Sequence, residues 1–275
     1  MSTQPVRVVR HPDRVVELRL EDPGRGHALD LPTAEALRDA TADVAADPGG
    51  AVLLRAAGAT FCVGGDLRAF AGRGEETGAY VHAVATAAHA AVRTLYELPV
   101  PVVTAVRGAA AGGGIGLALV GDIVLAARSA RFRLAYTAMG LTPDCGATWL
   151  LPLLVGPRLA TDLVLTNRVL TGGEAERLGL VSRAVEDDEV DEAAYRTAAE
   201  LAGGAGGALR AAKRLLRDKG AGEGLGRHLE EEARLIAGLA GSDEAQARMT
   251  SFLTARVRMG AGSGRSAPSG PESVS

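Results

Sequence analysis

Cysteine is nearly absent: Cys62 and Cys145 are the only two in 275 residues. With no second pair they make neither a metal knot nor a disulfide framework, and both are read as reduced. The five histidines, His11, His27, His82, His89 and His228, lack the close pairing a zinc site requires, so no metal is expected. No Gly-x-Ser-x-Gly elbow is present to support a serine hydrolase. Nucleotide fingerprints fail as well. Gly112 and Gly114 would need a third glycine where Leu117 stands, Gly114 and Gly116 one where Leu119 stands, and no Gly-Lys-Ser/Thr occurs. No cofactor is therefore expected.

Charge of one sign is also lacking. The net charge is -3 with acids and bases interspersed, which leaves no footprint for nucleic acid or an anionic membrane. No uninterrupted apolar run reaches the roughly 18 residues of a membrane span, and residues 1–10 have no signal-peptide block. A cytoplasmic address and a small-molecule partner are expected by default. Aromatics make up only 3% while glycine numbers 36, so the core must be Val, Leu and Ala with backbones packed closely.

What is present reads as alternating strands and helices. Val6–Arg10 and Val15–Leu20 predict two strands around a His-Pro-Asp turn. A helix over 33–46 ends at Asp47-Pro48-Gly49-Gly50 and is followed by a buried strand over 51–55. The pattern recurs as a helix over Thr77–Glu97, a strand Val102–Val106, a glycine-rich turn, a helix over 115–120 and a strand Ile123–Ala127, which implies an α/β core. Past Thr171 strands are expected to give out in favour of helices over 173–178, 191–202, 209–219 and 225–240. The chain thus divides into a core over 1–200, a helical region over 201–259 suited to oligomerisation, and a disordered tail over 260–275 poor in apolar residues.

Two glycine-rich turns stand out. Phe61-Cys62-Val63-Gly64-Gly65-Asp66-Leu67 leads into a short helix with Asp66 as N-cap, and Gly108-Ala109-Ala110-Ala111-Gly112-Gly113-Gly114-Ile115-Gly116 opens another. Each leaves unpaired N–H groups at a positive helix end, where an oxyanion can be held, although tight turning and close packing explain either one alone. A further block, Gly140-Leu141-Thr142-Pro143-Asp144-Cys145-Gly146-Ala147-Thr148-Trp149, offers a carboxylate in apolar surroundings. Locally, Asp144 also reads as a turn residue capping the segment that follows.

With these turns at this spacing, the chain resembles the crotonase (enoyl-CoA hydratase/isomerase) superfamily from His27-Ala28-Leu29 to Ser251-Phe252-Leu253. The blocks Gly121-Asp122-Ile123 and Thr171-Gly172-Gly173-Glu174-Ala175 match it too. The resemblance implies a spiral of β-β-α units with a helical C-terminal part that builds trimers or dimers of trimers, and an acyl-CoA thioester as substrate. It also implies an oxyanion hole from the N–H groups of Gly65 and Gly113. Hydratases of the superfamily carry two glutamates where this chain has Gly116 and Tyr136. The Pro-Asp-Cys-Gly block looks instead like the branch that shifts double bonds in unsaturated acyl-CoAs, including the phenylacetate-pathway isomerase, with Asp144 as acid/base.

Two alternatives accompany that expectation. His89 and Asp144 also match the base and the nucleophile of the aryl-CoA dehalogenase branch, and loss of both glutamates would equally suit a non-catalytic acyl-CoA binder. Tyr136 either donates to substrate or lines an acyl pocket with Phe132, Met139 and Trp149. Ala28, Gly64 and Asp66 belong to the matched substrate-binding blocks, and Arg25 and Arg68 are candidates for CoA phosphates.

Overall fold

The computed structural model describes residues 4–217 and 221–262. β1 (Val6–Arg10) and β2 (Val15–Leu20) form an antiparallel hairpin. Helix α1 (Leu31–Ala46) starts at Asp30, whose carboxylate accepts the Thr33 N–H at 2.9 Å. β3 (Ala51–Ala56) then returns parallel to β2. After the short α2 (Leu67–Phe70) and the long α3 (Thr77–Glu97), β4 (Val102–Val106) lies beside β3 with every residue buried, as a strand covered on both faces requires.

β5 (Ala109–Ala111) and α4 (Gly113–Leu119) carry the second glycine turn, and β6 (Ile123–Ala127) rejoins the main sheet. β7 (Arg131–Arg133) precedes α5 (Ala147–Thr166), which is followed by β8 (Leu170–Thr171) and α6 (Gly172–Arg177). β9 (Arg183–Val185) leads to α7 (Val190–Ala202), α8 (Gly206–Arg217), α9 (Ala221–Ala240) and α10 (Asp243–Gly262). The main sheet has the order β1-β2-β3-β4-β6-β9, and a second, small sheet has the order β5-β7-β8. This mixed α/β arrangement is the fold class expected from the sequence.

Two features differ from the sequence reading, and a third, α5, adds to it. Strands do not end at Thr171, because Arg183–Val185 pairs with β6 at the sheet edge; three residues between helices are too few to display an alternation. The segment around Trp149 is helical, and α5 is by length and mean hydropathy (1.3) apolar enough to cross a bilayer. It is nevertheless broken at Gly156 (φ 77°, ψ 159°), so each half falls short of the ~20 residues a span needs. Lastly, α10 runs to Gly262, into the expected tail; residues 263–275 lie outside the described residues.

The C-terminal helices are tied to the core by charge. Asp122, in the Gly121-Asp122 block, accepts the Val102 N–H at 2.8 Å and pairs with Lys213 and Arg217 of α8, each at 2.7 Å. Lys213 also donates to the Val100 carbonyl at 2.7 Å. α9 lies along α3, and this packing positions its side chains over the site.

Candidate active site

The two glycine turns meet at their backbones. Cys62 N–H donates to Ala109 O at 3.0 Å and Ala111 N–H to Cys62 O at 2.9 Å, while Leu29 N–H donates to Gly64 O at 2.8 Å. The Cys62 thiol, pushed up to about 12 by burial, stays protonated and donates to the His27 carbonyl at 3.2 Å. Among the described residues the N–H groups of Gly65 and Gly113 have no acceptor. Gly64 has φ 82°, and a Cβ there would stand 2.7 Å from Ala111 O and 2.9 Å from Gly113 N. Only glycine leaves that donor open.

Asp144 faces the second turn. A Cβ built on Gly113 would lie 3.6 Å from Asp144 Oδ1 and 3.0 Å from Cys145 Sγ. The Tyr136 hydroxyl donates to Asp144 Oδ1, so its one proton is engaged by the carboxylate. Phe132 is fully buried elsewhere, with Ile115, Leu134 and Leu151 around it. Asp144 is also no helix cap: α5 has Gly146 at its N-cap and no side-chain cap. Burial raises the Asp144 carboxyl above its usual range, and the neighbouring His89 ring and then the Tyr136 hydrogen bond oppose this without reversing it. The Tyr136 hydroxyl is in turn held well above its ordinary value by burial and by the neighbouring carboxylate.

His89 is brought close but is engaged differently from expectation. His89, Asp144 and Cys145 have their polar side-chain atoms within 4.8 Å of one another. His89 Nε2 accepts the Cys145 N–H at 3.0 Å, which requires that nitrogen to be unprotonated and uses its lone pair. That nitrogen is unavailable to activate water, as a base in the dehalogenase reading would have to. His89 instead props the turn carrying Asp144.

One carboxylate at the site escaped the sequence reading. Glu232 of α9 is buried, accepts the Gly146 N–H at 2.8 Å and the Thr148 hydroxyl at 2.6 Å, and lies 3.2 Å from His228 Nε2. It sits in Glu230-Glu231-Glu232, where three like residues hide the one that turns inward. Helical periodicity was the available signal, since Leu225, Leu229, Glu232 and Ile236 share the buried face.

The candidate phosphate ligands divide. Arg25 is committed to three carboxylates: Asp22 at 2.6 Å, Asp30 at 2.6 Å and Asp66 at 3.2 Å. It clamps the ends of α1 and α2, so a phosphate would have to displace an existing partner. Asp66 caps α2 through the Arg68 N–H at 2.9 Å. Arg68 is exposed beside the first turn, and its side chain forms no ion pair among the described residues. Ala28 is buried between His27 and Leu29, next to that turn.

Residues 10–258 match the family described as Enoyl-CoA hydratase/isomerase. The chain belongs to this family. It is an enzyme of the crotonase superfamily, as the two glycine turns imply. A probable enoyl-CoA hydratase from Rhodobacter capsulatus is 37% identical over 207 residues, covering 75% of this chain and 79% of that protein. The 1,2-epoxyphenylacetyl-CoA isomerase of Escherichia coli is 41% identical over 155 residues, which are 55% of this chain and 58% of that protein. Among solved structures, an enoyl-CoA hydratase/isomerase from Pseudoalteromonas atlantica superposes with a TM-score of 0.79 at 31% identity, covering 91% of this chain and 97% of that one. Hydratase and isomerase names both occur among these relatives, so the site must discriminate between the reactions.

Gly116, at which the resemblance implies the first hydratase glutamate would stand, has no room for a side chain. A Cβ at Gly116 would fall 2.0 Å from Cys145 O. The Asp144-Cys145-Gly146 turn fills the space into which a glutamate would project, and Tyr136 occupies the second position with its hydroxyl turned to Asp144.

Proposed function

We propose that this enzyme is an acyl-CoA double-bond isomerase, converting 3-enoyl-CoA to 2-enoyl-CoA by a 1,3-proton shift. The observation that carries the reading is the buried carboxylate of Asp144 beside Gly113, where the Cys145 turn leaves no room for a side chain at Gly116. The N–H groups of Gly65 and Gly113 form the oxyanion hole. The Asp144 carboxylate takes a proton from C2, the electrons move into the thioester to form a dienolate, and the two N–H groups hold its oxyanion. The same proton is returned to C4, so nothing is added or lost. Burial that raises the proton affinity of Asp144 brings it towards the range of a useful base.

The CoA portion is bound along the first turn, with Ala28, Gly64 and Asp66 as its wall and Arg68 as the phosphate contact. The chain assembles as a trimer or dimer of trimers through the C-terminal helical region, with Leu153 and Leu165 of α5, 67% and 66% exposed, as further apolar surface for the contact. Light scattering is expected to give a trimer or a multiple of it, and Leu153→Glu combined with Leu165→Glu to give a smaller species.

Two absorbance assays on the purified protein test the reaction. A 3-enoyl-CoA is expected to gain conjugated enoyl-thioester absorbance, and a 2-enoyl-CoA to show no loss through hydration. Loss of absorbance from the 2-enoyl-CoA without isomerisation of its 3-enoyl counterpart would overturn the reading.

A further inference from the structure

We propose that Glu232 is a positioning residue for the acid/base, clamping from α9 the Cys145-Gly146 turn that carries Asp144. The inference rests on the reading of Asp144 as the acid/base and goes beyond it by bringing the C-terminal helical region into catalysis. The turn is an improbable one. Cys145 has φ 52° and Gly146 φ 75°, so two successive residues are left-handed and one of them is not glycine, a conformation that persists only when its surroundings impose it. Two side chains supply that constraint. His89 Nε2 accepts the Cys145 N–H at 3.0 Å and Glu232 Oε2 accepts the Gly146 N–H at 2.8 Å.

The second oxygen of Glu232 extends the clamp into α5, accepting the Thr148 hydroxyl at 2.6 Å. His228 Nε2, one helical turn earlier on α9, is 3.2 Å from the same oxygen, and its ring is held above its ordinary pKa by that carboxylate. Glu232 does not touch Asp144 or the expected substrate position. It does place a negative charge in the same buried space, which adds to the proton affinity of Asp144. Across the site it is faced by His89 of α3 at 3.8 Å, by Asp144 and Cys145 of the turn, by Tyr136, and by His228 of its own helix.

Geometry and charge can be separated by two substitutions. Glu232→Gln keeps an oxygen able to accept the Gly146 N–H but removes the charge. Its kcat for 3-enoyl-CoA isomerisation is expected to stay within about tenfold of wild type, with the acidic limb of the pH profile moved roughly half a unit or more towards acid. Glu232→Ala removes both and leaves a buried N–H unpaired, so kcat should fall further, roughly 10- to 100-fold, with KM within about threefold. A structural role alone would lower stability in both variants and move neither the pH limb nor the ratio of kcat to KM effects.

A second measurement does not depend on activity. Carbon-13 NMR of aspartate-labelled protein, with the Asp144 carboxyl identified by its absence in Asp144→Asn, reads the titration of that group directly in wild type and in Glu232→Gln. A lower Asp144 midpoint in the Gln variant supports the proposal even if the Ala variant does not fold. An unchanged midpoint together with an unchanged pH limb overturns it. A wild-type protein inactive on 3-enoyl-CoA would refute the isomerase reading, while the NMR comparison would still decide the role of Glu232.

Discussion

Asp144→Asn is expected to lower kcat for 3-enoyl-CoA isomerisation by about 10³-fold while leaving KM within about threefold. The amide accepts the Tyr136 hydroxyl as the carboxylate does, so the turn keeps its shape, yet it cannot take a proton from C2. General acid–base groups contribute typically 10²- to 10⁴-fold, and no other carboxylate adjoins Gly113 among the described residues. Isothermal titration with a non-isomerising acyl-CoA checks that binding survives. Retention of more than a tenth of wild-type turnover would exclude Asp144 as the base.

The same substitution should raise thermal stability at neutral pH. The folded-state pKa of Asp144 is raised above the ordinary aspartate value, so the folded protein holds this proton more tightly than the unfolded chain. Its ionisation therefore costs stability as pH rises through the unfolded and then the folded pKa, and that cost is absent below both. Melting curves should separate variant and wild type most at pH 7 to 8 and bring them together towards pH 4. A variant less stable than wild type at neutral pH would show that the ionised carboxylate is better satisfied than its burial implies.

Gly64→Ala should cost turnover through the other half of the mechanism. The new methyl would stand 2.9 Å from Gly113 N and 2.7 Å from Ala111 O, in the space the thioester oxygen must enter. Loss of one oxyanion donor costs about 10²- to 10³-fold in kcat. The substitution also forces alanine to φ 82°, a strain of roughly 1 to 2 kcal/mol. Gly179→Ala separates the two effects: its φ is 77° and its nearest neighbour, Leu154 O, is 3.6 Å from the added Cβ. That control should lose stability alone. Equal loss of turnover in both variants would attribute the Gly64 effect to strain and not to a blocked donor.

Much of the fold could be read locally. β1, β2, β4, β6 and α3 lie where alternation, apolar runs and helical spacing put them, because a strand covered on both faces or an amphipathic helix writes its burial into neighbouring residues. β5, β7, β8 and β9 could not be read this way. At two or three residues each they have no period to display, and they exist because a sheet edge is already there to pair with.

The sequence by itself determined that two glycine turns each open a helix and that an aspartate sits in an apolar block, and hence which superfamily the chain resembles; the resemblance in turn implies that both hydratase glutamates are missing. These are properties of residue type and spacing along one segment. Only the tertiary structure decided what each group engages. Arg25, which resembled a free phosphate contact, is taken by Asp22, Asp30 and Asp66. Tyr136 gives its hydroxyl to Asp144, His89 accepts from Cys145, and Glu232 reaches Gly146 across 86 positions of sequence. A hydrogen bond needs its partner within about 3 Å, and no local pattern records which distant residue the fold will bring there.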